Sequence, residues 1–267
     1  MTKQLSPREQ NEVTRSASEA SKLVIKPVEV RRYLRPPADT PFPLEYAFYL
    51  LGDAKGQTVL DLGCGSGENL LPILHRGARV IGIDISPDLV AIAERRLNEA
   101  GLDASVAVGS AYETELPDAS VDVIFCVALI HHLDIPRARA EMRRILRPGG
   151  FIVLQEPIRF SKTYSFLRRL LPDREDISDY EHPLTEDEFH AFQEAFECDG
   201  LRFFRLPFVP LAQRIIPAAQ GPALRLSNSI VKRFPAVARH TTVAVVRLRK
   251  PDSGTPRPSV VQTDLKS

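Results

Sequence analysis

A chain of 267 residues with 35 lysines and arginines against 34 aspartates and glutamates is almost electrically neutral, which speaks against a general polyanion binder. Hydrophobic residues at 43% and charged residues at 26% describe an ordinary globular protein, long enough for one sizeable domain with appendages. No apolar run approaches the roughly 18 uncharged residues that a membrane-crossing helix requires.

Residues 1–22 are rich in Ser, Glu, Gln and Lys and lack periodicity, so a flexible or loosely helical segment is expected ahead of a domain at 23–250. They contain no apolar run of the signal-peptide kind. Cys64, Cys126 and Cys198 form no CxxC pair, which points to reduced thiols and a cytoplasmic location.

Thr58–Leu62 is a short β-branched and apolar run and predicts the first strand, with a helical stretch at 69–74 after it. Arg79–Asp84 predicts the second strand. Ser86-Pro87-Asp88 opens a helix with a capping serine, an early proline and an acid at the positive end, and Gly101 closes it. Strands follow at about 104–108, 121–127 and 151–155, with a helix at about 136–146 stopped by R-P-G-G (147–150). A T-x-x-E capping box from Thr185 to Glu188 opens a helix carrying Phe189, Phe192 and Phe196. Strands at about 201–206 and 241–248 complete the domain, and the proline-rich tail 251–267 is expected to be disordered. This alternation predicts an α/β fold, a doubly wound and mostly parallel sheet covered on both faces, whose ligands bind beyond the C-terminal strand ends.

The first such end reads V-L-D-L-G-C-G-S-G-E (59–68). Its glycines permit a sharp turn close to a ligand, but Glu68 breaks the dinucleotide fingerprint. Asp61 would repel a diphosphate and attract an ammonium group, and Asp84 can accept hydrogen bonds from both hydroxyls of a ribose. An amine, a ribose and a close glycine turn suit S-adenosylmethionine (SAM) better than NAD.

D-L-G-C-G-S-G, I-G-I-D-I-S, L-P-D-A-S-V-D-V-I-F-C, L-I-H-H-L and L-R-P-G-G, in that order, resemble the motifs of class I SAM-dependent methyltransferases. The likeness is to the group that includes ubiquinone and menaquinone C-methyltransferases and many small-molecule enzymes. It covers about 55–160 strongly and 161–206 loosely. It implies a seven-stranded Rossmann-like sheet. It also implies that Asp61, Gly63, Cys64 and Gly65 line the methionine end and that Gly67 starts a helix. Asp84 would hold the ribose, Ile85 would pack on the adenine, Ser110 and Ala111 would stand where the family often has an acid for the adenine amine, and Val127 and Ala128 would close the pocket.

Transfer to a hydroxyl requires a base, and His131, His132 and Glu156 at neighbouring strand ends are the candidates. No His/Cys spacing suggests zinc and no carboxylate group a calcium loop, so no metal is expected. The expected activity is methyl transfer to a small apolar or aromatic acceptor, at oxygen before nitrogen or carbon. A membrane-surface quinone or lipid methyltransferase is the alternative. A SAM-binding protein without methyl transfer and a Rossmann oxidoreductase are the alternatives of another class.

Charge is segregated outside this core. Ten acids and no Lys or Arg lie between Glu175 and Gly200, whereas eight bases and no acid lie between Pro207 and Lys250. Residues 207–240 form an apolar, basic insert between the last two strands, broken by four prolines at 210, 217, 222 and 235. With the N-terminal segment and residues 161–184 it is expected to form a helical lid over the acceptor, a pocket for a greasy substrate or a surface for peripheral association with an anionic membrane; a plain helical cap is the alternative. The lack of interleaved Tyr, Trp or His argues against nucleic acid.

Overall fold

A computed structural model of the protein describes residues 5–161 and 182–252. Most of the expected lid segment 161–184, much of the acidic segment and the proline-rich tail lie outside the described residues.

The strands are β1 (Thr58–Leu62), β2 (Arg79–Asp84), β3 (Ser105–Val108), β4 (Val121–Val127), β5 (Leu146–Pro157), β6 (Glu197–Phe204) and β7 (Val243–Arg249). They form one sheet in the order β3-β2-β1-β4-β5-β7-β6. The first five are parallel, and β7 runs antiparallel to both β5 and β6. The chain thus leaves β1 toward one edge and crosses to β4 toward the other. That reversal opens a crevice above the β1 and β4 ends.

Alternation along the strands supplies both faces. Val59, Val123, Phe125, Val153 and Val245 enter one apolar core, whereas Leu60, Ile124, Cys126, Leu154 and Val246 enter the other. Phe125 and Phe48 are fully buried, their ring centroids 4.9 Å apart. Truncating either to alanine costs about 3–5 kcal/mol on the usual scale for core aromatics.

The helices are α1 (Pro7–Lys22), α2 (Val30–Leu34), α3 (Pro43–Leu51), α4 (Leu70–Leu74), α5 (Pro87–Ala100), α6 (Ile135–Ile145), α7 (Glu186–Gln193), α8 (Phe208–Ile215) and α9 (Gln220–Arg233). Ser86 caps α5 through its side chain and Gly101 ends it in the left-handed conformation. Thr185 and Glu188 make both halves of the capping box that starts α7.

Three elements differ from the sequence reading. β5 begins at Leu146, so R-P-G-G lies within the strand; its irregular start is matched by a register shift between Val121 and Val123. β6 begins at Glu197, because Asp199 faces Arg247 and Arg249 of β7 at 2.5 and 3.0 Å and makes this polar stretch a good edge strand. The segment expected to be flexible or loosely helical contains a regular 16-residue helix, α1. Ser6 and Glu9 form its capping box around Pro7, a signal that was present in the sequence.

Candidate active site

A cavity of about 350 Å³ opens above the β1, β2, β3 and β4 ends. Its floor and sides include Leu62, Gly63, Asp84, Ile85, Gly109, Ser110, Ala111, Ala128, Leu129, His131 and His132. Gly63 has φ +74°, and a Cβ there would meet the Leu129 side chain at 2.9 Å. Only glycine lets the loop turn this close to the wall.

Asp84 closes the end of β2. One carboxylate oxygen accepts the Gly65 N–H at 2.8 Å and the other the Ser86 N–H at 2.9 Å. Asp84 thereby ties the glycine loop to the start of α5 and keeps lone pairs for a ligand. Burial raises its carboxyl above the usual range against these hydrogen bonds, and Glu19 adds to the rise.

The fourth side of the cavity is α1, which contributes Arg8, Glu9, Glu12, Arg15, Ser16 and Glu19. Ser110 Oγ donates to Glu9 Oε1 at 2.6 Å, and His132 Nδ1 lies 3.4 Å from Glu12 Oε2. Hydrogen bonds from Ser110 and Ser6 hold Glu9 below its ordinary carboxyl range despite burial. None of these α1 residues was a site candidate in the sequence reading.

The 3-10 turn Ile130–His132 follows β4 and carries the two histidines, their ring centroids 4.0 Å apart. His131 Nδ1 sits 2.8 Å from Glu156 Oε2. Glu156, 2% exposed, uses its other oxygen to accept the backbone N–H groups of Leu129 and Ile130 at 2.9 and 2.8 Å. Both oxygens are thus engaged, and Glu156 is not among the cavity-lining residues. Burial, with His131, Arg15 and Arg8 nearby, pushes His132 down to about 3, so it is neutral and a weak proton acceptor near pH 7.

Other expected site residues sit elsewhere. Of the expected pair, Val127 packs against the core, while the positive-φ residue Ala128 (φ +54°) lines the wall beside Leu129. Cys64 is buried against Gly82, Gly65 anchors Asp84, and Gly67 lets α5 approach; a Cβ at Gly67 would lie 2.9 Å from Ala93 Cβ. These three shape the loop without lining the cavity. No residue of 207–240 lines it either, so among the described residues the insert forms no lid over this cavity.

Asp61 also lies beneath the cavity rather than in its wall. It pairs within the sheet with Gly82 and Phe125, is 0% exposed, and its two oxygens take no hydrogen bond from the described residues. Burial, with Asp84 close by, pushes its carboxyl up to about 8. The folded state therefore holds a proton that the unfolded chain releases near pH 4, and stability falls between about pH 4 and 8. Asp61→Asn is expected to stabilise the ligand-free protein by about 2 kcal/mol or more at pH 8, with the gain vanishing below about pH 4. Denaturant melts across that range check it; a pH-independent difference would contradict the buried-acid account.

Residues 60–154 match the family described as methyltransferase domain. A 45-residue stretch is 51% identical to a 23S rRNA uracil-C5-methyltransferase of Thiobacillus denitrificans, covering 17% of this chain and 10% of that protein. A 46-residue stretch is 44% identical to a ubiquinone biosynthesis O-methyltransferase of Alkalilimnicola ehrlichii, covering 17% and 19%. The matches thus span less than a fifth of either relative. Among solved structures, geranyl diphosphate C-methyltransferase of Streptomyces coelicolor A3(2) aligns with a TM-score of 0.63 at 15% identity, over 93% of this chain and 100% of that one. The [4+2]-cyclase SpnF aligns with a TM-score of 0.58 at 18% identity, over 93% and 97%. Such distant likenesses establish the fold, and the cyclase shows that the fold alone does not set the reaction.

Residues 60–154 thus match a methyltransferase domain, and the fold is the one that class I, SAM-dependent methyltransferases share. Its cofactor is SAM, and the cavity fits it. Asp84 offers half-buried acceptors, Ile85 an apolar surface and Gly63 a close backbone approach. No helix of the described residues is long and apolar enough to cross a membrane.

Proposed function

We propose that this chain is a cytoplasmic enzyme that transfers the methyl group of SAM to a hydroxyl oxygen of a small apolar or aromatic metabolite, with His131 as base and Glu156 as its positioning residue. The observation that carries this reading is the buried Glu156 carboxylate, which accepts two backbone N–H groups from the turn and holds His131 Nδ1 at 2.8 Å. A carboxylate on Nδ1 keeps the proton there, so the opposite ring nitrogen is the basic one.

When bound, SAM supplies a methyl group already activated on a sulfonium. The remaining task is alignment and, for a hydroxyl, removal of one proton. Asp84 is the residue to hold the ribose hydroxyls and Ile85 to pack against the base, with Gly63, Ser110 and Ala111 shaping the rest of the wall. His131 takes the hydroxyl proton as the oxygen–methyl bond forms. Glu156 stabilises the resulting imidazolium.

The reading is tested by incubating the protein with methyl-labelled SAM and a panel of phenols, quinols and amines. Label is expected in solvent-extractable ethers. Label only in amine or carbon products, or none despite S-adenosylhomocysteine (SAH) binding, would overturn oxygen transfer.

A further inference from the structure

We infer that the outer face of the insert, formed by α8, α9 and the turn after them, docks on an anionic phospholipid surface. Leu211, Ile215, Ile216, Leu226 and Phe234 are 58%, 69%, 57%, 56% and 56% exposed. They are five of the eight large apolar side chains exposed among the described residues, gathered in one short stretch. Scattered exposed apolar residues are ordinary, but a gathered set marks a surface that meets something.

The opposite side of the insert is already occupied. Val209, Ala223 and Leu224 are buried with Phe42 and Phe208, and Ser227 Oγ accepts the Leu206 N–H at 3.0 Å. The packing interface and the exposed face are therefore different stripes of the same helices. On α8, Leu211 and Ile215 are one turn apart on the outer side. On α9, Leu226 is exposed with Arg225 and Arg233, whereas Ala223, Leu224 and Ser227 are buried.

Charge chooses the partner. Arg214, Arg225, Lys232, Arg233 and Arg239 are exposed in the insert, and no acid occurs between Pro207 and Lys250. Lys232 reaches Asp39 at 3.7 Å, while among the described residues Arg214, Arg225, Arg233 and Arg239 form no ion pair. A second copy would set these cations against one another. Nucleic acid would accept the cations and leave the aliphatic side chains without a role. The boundary of an anionic bilayer receives both, apolar side chains among the acyl chains and cations at the headgroups.

Topology gives the docking a direction. Phe204 and Pro157 both pair with Val243, so the insert leaves β6 and returns to β7 at the end of the sheet where β5 finishes. That is the same end as the cavity. Docking therefore turns the ligand-binding end of the sheet toward the lipid.

The test is flotation of the full chain with vesicles of phosphatidylcholine alone or with about one third phosphatidylglycerol, at low salt and at about 0.5 M salt. The protein is expected to float only with the anionic vesicles and only at low salt. Each Arg→Glu change at Arg214, Arg225 or Arg233 is expected to weaken binding at least fivefold. The combined substitution Leu211→Ser, Ile215→Ser, Leu226→Ser is expected to abolish flotation. All variants should still bind SAH, which separates this inference from the methyltransferase reading. No flotation of the unaltered protein, or equal flotation of both variant sets, would overturn it. So would a dimer in sedimentation that the serine variant dissolves, since that result assigns the face to a second copy.

Discussion

His131→Ala is expected to lower kcat for a hydroxyl acceptor by about 10²–10⁴-fold and to leave SAH affinity unchanged. The cause is the loss of the proton acceptor in the cavity wall, while the cofactor side of the cavity, at Asp84, Ile85 and Ser110, stays as it was. Glu156→Gln should fall in the same range for a different reason. The amide keeps the size of the side chain, and its oxygen can still accept the Leu129 and Ile130 N–H groups. Its NH2 then faces His131 Nδ1, which must become an acceptor. The proton moves to the opposite ring nitrogen, where the acceptor's proton was to go.

A role in holding the fold would also lower activity, so a second readout is needed. With a phenol acidic enough to be ionised at assay pH, no base is required, and His131→Ala should retain most of the wild-type rate. KM should move little in either variant, because neither group is invoked in binding the acceptor. A loss equally deep with the ionised phenol would assign His131 to placement of the acceptor rather than to proton removal.

Asp84→Ala is expected to weaken SAH binding at least about 100-fold, roughly 2.7 kcal/mol. Two effects combine. The ligand loses its carboxylate acceptors, and the Gly65 and Ser86 N–H groups lose the oxygens that fix the loop and the start of α5. Asp84→Asn keeps one acceptor oxygen and should fall between the two. Calorimetry with SAH measures both. An unchanged affinity would remove Asp84 from the cofactor site, and tighter binding of NADH than of SAH would replace the cofactor altogether.

Much of this architecture was legible in the chain. Runs such as Thr58–Leu62 and Arg79–Asp84 carry the strand signal locally, and Ser86, Gly101 and Thr185 mark helix ends by their own chemistry. For the same reason, Gly63, Asp84, Ile85, Ser110 and Ala111, which line the cavity, could be named from the chain, since each ends or follows a readable strand. The misplacements come from parity and distance. One residue along a strand end reverses the face, which leaves Ala128 in the wall, as expected, but turns Val127 toward the core, and leaves Asp61 under the floor. Glu156 reads as a candidate base because sequence shows the carboxylate but not the two N–H groups that occupy it. The contact between Glu9 and Ser110 joins residues 101 positions apart, and no local pattern encodes it.

The two ends of the domain are not equivalent places to attach anything. Contacts from Glu9 and Glu12 seat the start of α1 over Ser110 and His132, beside the cofactor cavity. β7, by contrast, starts at the ligand end with Val243 and runs away from it to Arg249, beside Phe151. A fused reporter, surface anchor or affinity handle joined after β7 leaves the catalytic mouth clear. The same handle joined ahead of α1 would compete with cofactor exchange, and would make a well-folded preparation look like a slow enzyme.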